Sequence, residues 1–120
     1  MFEESLMTAS LSLPTIEEIR KAQQFVYSVM LPTPQIVWPL LCERLGTEAW
    51  VKHENHTPIG AFKARTAVVY AEELFRESKG VTGLVTATRG NHGQSVALAA
   101  RRFGVPVHIV VPHGNSAEKN

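Results

Sequence analysis

The sequence predicts an α/β fold: a parallel sheet in βαβαβ order with flanking helices, preceded by N-terminal helices. Three observations predict it. Apolar residues recur at helical spacing over 62–79 and 91–103, whereas 49–53, 83–88 and 107–111 are short apolar, β-branched runs typical of strands. Turn residues separate these runs: Pro58 and Gly60 before the first helix, Gly80 after it, Gly90 before the second, Gly104 and Pro106 beyond it. The connections are short, and strands joined through helices pair in parallel with the helices over the sheet faces.

Taken in order, Thr15 reads as the N-cap of a first helix, with Glu18 as its capping-box partner. Ile16, Ile19, Phe25, Val26, Val29 and Met30 supply its apolar face, and Leu31-Pro32-Thr33-Pro34 ends it. A short second helix starts with Pro39 at its first position, runs to Leu45 and is closed by Gly46. In the helix over 62–79, Ala64, Ala67, Val68, Ala71, Leu74 and Phe75 form one stripe, with Glu72 and Arg76 as an i,i+4 pair. The helix over 91–103 turns Val96, Ala97, Ala100 and Phe103 inward. We divide the chain into a helical segment, residues 1–48, and a βαβαβ portion, residues 49–120. The last residues, from Pro112 to Asn120, read as a loop and the first turn of a further helix, so the sheet is expected to be incomplete and the chain a fragment.

Composition narrows the function. A hydrophobic content of 44%, a charged content of 19% and a net charge of +1 give no electrostatic commitment to nucleic acid or to an anionic membrane. Met1–Ser12 carries Glu3 and Glu4 but no Lys or Arg, the wrong charge for a targeting segment, and no apolar run approaches the ~20 residues needed to span a bilayer. The single cysteine, Cys42, fits a reducing, cytoplasmic setting. His53 and His56 lack a third ligand, so no metal is expected. Gly90-Asn91-His92-Gly93 matches the Gly-x-x-Gly of a nucleic-acid-binding loop, but it follows a strand instead of joining two helices, and we expect no nucleic-acid partner.

Two loops should emerge at the carboxyl edge of the sheet, where ligands of such folds bind: residues 54–62 and 88–93. Lys63 follows the first. At a helix N-terminus the unpaired N–H groups already carry positive charge, so a lysine there suits use as a free amine and nucleophile. In the second loop, N–H groups opening the helix at Asn91 can receive an anion, a carboxylate or a phosphate.

These residues resemble the fold-type II pyridoxal-phosphate enzymes, and within them the serine/threonine dehydratase group. Lys52-x-Glu54-x-x-x-Pro58-x-Gly60-x-Phe62-Lys63-x-Arg65 is similar to the cofactor-lysine motif, and Thr88-x-Gly90-Asn91-His92 to the Ser-x-Gly-Asn-His loop; the resemblance runs from about Thr33 to Lys119. It implies a two-domain fold of which this chain is an N-terminal part, with pyridoxal 5'-phosphate as cofactor. Lys63 is then the catalytic residue, forming a Schiff base with the cofactor aldehyde and shuttling the α proton of an amino-acid substrate. Phe62 would pack beside the cofactor ring and Asn91 would bond its 3′ oxygen. Thr88, Arg89, Gly90, Asn91 and His92 would hold the substrate carboxylate. The implied reaction is dehydration of L-threonine, with L-serine as a second substrate, in a homo-oligomer of the full-length protein. A racemase or β-replacement enzyme of the same family, or a non-catalytic fragment or binding module, stays open. Ala61 and Thr88 stand where the family commonly has serine, Gln35 where leucine is usual, and Trp38 where serine is common; the methyl of Thr88 is expected to crowd the carboxylate site. The family's glycine-rich phosphate loop and its residue opposite the pyridine nitrogen lie beyond position 120, so this chain alone is expected to be inactive.

Overall fold

The computed structural model describes residues 12–116. The targeting-segment reading therefore lies outside the described residues up to position 11, as does the expected helical turn from position 117 onward. Four helices and four strands alternate: α1 (Ile16–Tyr27), β1 (Gln35–Val37), α2 (Pro39–Leu45), β2 (Trp50–Lys52), α3 (Lys63–Glu77), β3 (Leu84–Ala87), α4 (Asn91–Phe103) and β4 (Val107–Val110), with one 3₁₀ turn at Glu54–His56. The α/β class is borne out.

Capping fixes the ends where the sequence places them. Thr15 Oγ1 accepts from the Glu18 N–H at 3.2 Å, while Glu18 Oε2 accepts from the Thr15 N–H at 2.7 Å, so two otherwise orphaned donors are satisfied reciprocally. Pro39 opens α2, where a missing N–H costs nothing, and Gly46 closes it. The first helix stops at Tyr27, three residues short of Met30.

The sheet departs from expectation. The strand around 49–53 does not join β3 and β4 in one parallel sheet; as β2 it pairs antiparallel with β1, in register Gln35↔Lys52, Ile36↔Val51 and Val37↔Trp50. Trp50 and Lys52 face solvent and Val51 is half-buried, which suits an antiparallel pair with one wet face, whereas a central parallel strand is covered on both. The strands β3 and β4 do pair in parallel through α4, with Leu84 opposite Val107 and Ala87 opposite Val110. Among the described residues neither has another strand neighbour. Val85 is 76% exposed and Val110 59%.

The core lies where α1, α3 and α4 meet: Val26, Met30, Ala64 and Val68 are buried, with Phe25, Ile59 and Leu98 packed against them. On α3 the buried residues Ala64, Val68 and Ala71 fall on the expected stripe. On α4 the buried face is Gly93, Ser95, Ala99 and Ala100, rotated from the expected Val96, Ala97, Ala100 and Phe103. Small side chains let the backbones approach, so the line of closest contact runs along them and the larger Val96 and Phe103 sit at its margins. Phe103 stacks on Phe75, ring centroids 4.3 Å apart. The expected Glu72–Arg76 pair does not form: Glu72 bonds Arg102 of α4 at 2.6 Å, and Arg76 turns to Glu77 at 3.0 Å. Arg102 also donates to Ser28 Oγ, tying the end of α1 to α3 and α4.

Candidate active site

The loop leading to Lys63 is held by its own hydroxyl. Thr57, buried, donates through Oγ1 to the Ala61 carbonyl and accepts from the Ala61 N–H, both at 2.8 Å. That closure needs a tight reversal at Gly60, whose φ of +66° is a region L side chains avoid. Phe62 then ends the loop and Lys63 is the first residue of α3. The helix winds tightly here: Ala64 and Arg65 donate to the carbonyls three residues back, Ala61 and Phe62.

The two cations of this first turn have different fates. The Lys63 amine is exposed and makes no ion pair or side-chain hydrogen bond among the described residues. The Arg65 guanidinium is bound by Glu54, Nε to Oε2 at 2.8 Å and Nη2 to Oε1 at 2.9 Å. Thr33 Oγ1 donates to Glu54 Oε1 at 2.7 Å and accepts from Arg65 Nη2 at 3.1 Å, closing a ring of three side chains. Lys52 adds weaker contacts, to the Thr33 carbonyl at 3.4 Å and to Glu54 at 3.9 Å.

Arg65 holds the Glu54 carboxyl below its ordinary value of 4.5, outweighing the opposing cost of burial, with Thr33 and Lys52 acting in the same direction as Arg65. A carboxyl whose pKa is lower in the folded state stabilises fully above its unfolded value, and that contribution is lost as pH falls through the lowered one. The melting temperature is therefore expected to drop on acidification below pH 4.5, and Glu54→Gln to remove part of the drop. Glu18 is also lowered, by the Thr15 backbone N–H above all, but it remains in both proteins, so the difference isolates Glu54. Parallel melting curves for variant and parent on the two sides of that pH would dismiss Glu54.

Lys63 stands at a cleft of about 580 Å³ between α3, α4 and β3. Of the residues singled out in the sequence, Phe62, Lys63 and His92 line it. Thr88, Arg89, Gly90 and Asn91 do not; they form the turn from β3 into α4 that delivers His92. Thr66, Tyr70 and Val85 also line the cleft and had no place in the sequence reading. The signal was available for two of them, because Lys63, Thr66 and Tyr70 fall at i, i+3 and i+7 on one helix face.

In the turn, Thr88 Oγ1 accepts from the Gly90 N–H at 3.1 Å, so that donor is already used. No side chain caps α4, and the first N–H groups of a helix, here those of Asn91 and His92, have no acceptor within it. Gly90 has extended backbone, φ 178°, which any residue adopts. Gly93 is the demanding glycine: a Cβ there would lie 2.6 Å from Thr88 Cγ2 and 3.0 Å from Ile109 Cγ2. The Thr88 methyl thus packs toward Gly93. Trp38 Nε1 donates to His53 Nε2 at 3.0 Å, so that ring nitrogen is engaged. Among the described residues no group of three or more His, Cys, Asp or Glu could hold a metal, and no helix is long and apolar enough to cross a membrane.

Comparison with known proteins gives the site a context. A family model described as "Pyridoxal-phosphate dependent enzyme" matches residues 26–120. The L-threonine ammonia-lyase of Thermotoga maritima is 40% identical over 98 residues, 82% of this chain and 24% of that protein. The serine racemase of Schizosaccharomyces pombe is 31% identical, over 88% of this chain and 32% of its own. The crystal structure of a pyridoxal 5'-phosphate-dependent aspartate racemase superposes with a TM-score of 0.81 at 32% identity, over 88% of this chain and 33% of that one. The chain spans a quarter to a third of the length of these relatives.

Proposed function

Because the chain belongs to the pyridoxal-phosphate-dependent enzyme family, we propose that the full-length protein is a dehydratase, an ammonia-lyase that converts L-threonine, and L-serine as a second substrate, to a 2-oxo acid and ammonia. The observation that carries this reading is the unpaired Lys63 amine in the lining of a cleft that His92, from the uncapped first turn of α4, also lines. The residues fit the cofactor: the cleft lies within the ~300–1,000 Å³ of small-molecule sites, and Phe62, 60% exposed, leaves an aromatic ring open beside the amine.

Lys63 would hold the cofactor through Nζ and, once displaced by substrate, take the α proton at the same atom. Bound there, pyridoxal phosphate supplies an electron sink for the charge left when a bond to Cα breaks. Phe62 would orient the ring and Asn91 would donate to its 3′ oxygen. The Thr88–His92 turn would take the substrate carboxylate, with Asn91 and His92 supplying the N–H groups and Arg89 the positive charge, since the Gly90 donor is spent on Thr88. A homo-oligomer in a cytoplasmic setting belongs to the same reading.

A second reading, racemisation, is favoured by the serine and aspartate racemases among the similar proteins. Product analysis separates them: L-threonine and L-serine yield a 2-oxo acid in a dehydratase and the inverted α centre in a racemase. Borohydride reduction of the full-length protein, followed by peptide mapping, should place the cofactor label on Lys63. Label on another lysine, or inverted amino acid without 2-oxo acid, overturns the proposal.

A further inference from the structure

The ring formed by Thr33, Glu54 and Arg65 has no part in the chemistry just described, yet it is the most heavily hydrogen-bonded side-chain cluster among the described residues. Its three members come from separate pieces of chain: the segment before β1, the 3₁₀ turn, and the first turn of α3. Thr33 is 6% exposed, and the Glu54 and Arg65 side chains are 20% and 25% exposed. Arg65 lies two residues beyond Lys63, a spacing that sends side chains to different faces of a helix. One face of this turn therefore presents the amine to the cleft while the other is bolted to Glu54. The bolt also closes the loop from Glu54 to Arg65, whose only other internal side-chain tie is Thr57 to Ala61.

We propose that Thr33, Glu54 and Arg65 form a positioning latch for Lys63: the Glu54 carboxylate, gripped on both oxygens by the Arg65 fork and on one by the Thr33 hydroxyl, fixes where α3 begins and so where the amine stands. This rests on the reading of Lys63 as the cofactor lysine. Geometry explains why arginine is required. A guanidinium gives two parallel N–H bonds to a carboxylate and holds its orientation, whereas an ammonium gives a point contact about which the turn can pivot. The pairing also commits the second cation of the turn to Glu54, leaving Lys63 as the one that faces the cleft. Displacing a reacting group by about 1 Å can cost about 10²-fold in rate, so a latch remote from the reacting atoms can still govern turnover.

The test uses the full-length protein with Arg65→Lys, which keeps the charge and loses the fork, and Thr33→Val, which keeps shape and loses the hydroxyl. Arg65→Lys should lower kcat by about 10²-fold with KM little changed, shift the cofactor absorbance of the loaded protein, and speed amide hydrogen exchange confined to residues 57–64 in protein stripped of cofactor. Thr33→Val should change the same three readouts in the same direction by less. Exchanging the pair, Glu54→Arg with Arg65→Glu, should recover part of the loss relative to either single change. If Arg65→Lys does not fold, Thr33→Val alone decides. Wild-type kcat, spectrum and local exchange in a folded latch variant overturn the latch while the cofactor lysine stands. Exchange that quickens across the whole chain also overturns it, since that is a general loss of stability. Borohydride label on a lysine other than Lys63 overturns the underlying reading and the latch's role together.

Discussion

Lys63→Ala in the full-length protein is expected to reduce kcat by at least about 10²–10⁴-fold, the contribution of positioned acid–base catalysis alone, and to abolish borohydride-stable cofactor attachment. The fold should not register the change. Lys63 is exposed at the first position of α3 and has no side-chain partner among the described residues. Alanine is the best intrinsic helix former, so with cofactor stripped from both proteins the melting temperature should stay at the parent value or rise slightly. The contrast is what makes the experiment informative: a residue that matters only to packing would lose activity and stability together. Initial rates with L-threonine on the loaded proteins and melting curves on the cofactor-free ones check both halves. Retention of activity within tenfold of the parent would remove Lys63 from the chemistry.

Gly93→Ala is the counterpart in stability. Intrinsic propensity favours alanine over glycine within a helix by about 1 kcal/mol, so a reader of sequence alone would predict stabilisation. Contact geometry reverses the sign. The added Cβ would meet Thr88 Cγ2 at 2.6 Å, closer than real Cβ contacts, and Ile109 Cγ2 at 3.0 Å. Thr88 cannot swing aside freely because its hydroxyl accepts from the Gly90 N–H. Overpacking of this kind costs roughly 1–3 kcal/mol. The same push would displace the turn that carries Asn91 and His92. Thr88→Ser supplies the control by deleting the methyl while keeping the hydroxyl, so Gly93→Ala should cost less in a Thr88→Ser background, although Ile109 still prevents full relief. Denaturant unfolding of the two single variants and the double measures that coupling. Additive effects would show that Thr88 is not what excludes a side chain at position 93.

How much of this was legible beforehand depends on the distance over which each feature is decided. The capping box of Thr15 and Glu18, and the Pro39 and Gly46 that bracket α2, are local signals and were read directly. The helices and strands from α3 to β4 carry periodicities long enough to declare themselves, and they lie close to where the sequence puts them. Partner choice was not legible in this way. The strand β2 has three residues, and nothing within them says that Gln35–Val37 is their neighbour in place of β3. Glu72 had a plausible partner four residues away and took Arg102, thirty residues on, because α4 packs against α3. In the site, Lys63 and Asn91 stood out through motif spacing. Glu54 and Arg65 were visible in the same motif with no role attached, and Thr33 could not be connected to Arg65, 32 residues away, until the chain was folded. The packing of the Thr88 methyl toward Gly93 was likewise not legible, because a side chain's direction is invisible in sequence.

The parallel pair of β3 and β4 carries a practical consequence. Each strand keeps one edge of unpaired backbone among the described residues, and Val85 and Val110 are exposed on the faces next to it. An unprotected hydrophobic edge is a template for another molecule's strand. Produced by itself at high concentration, this stretch is therefore a candidate for self-association in the test tube. Expression at low temperature, a solubilising fusion or a charged substitution at Val110, which does not line the cleft, would address that cause, whereas tightening the helical core would leave it untouched.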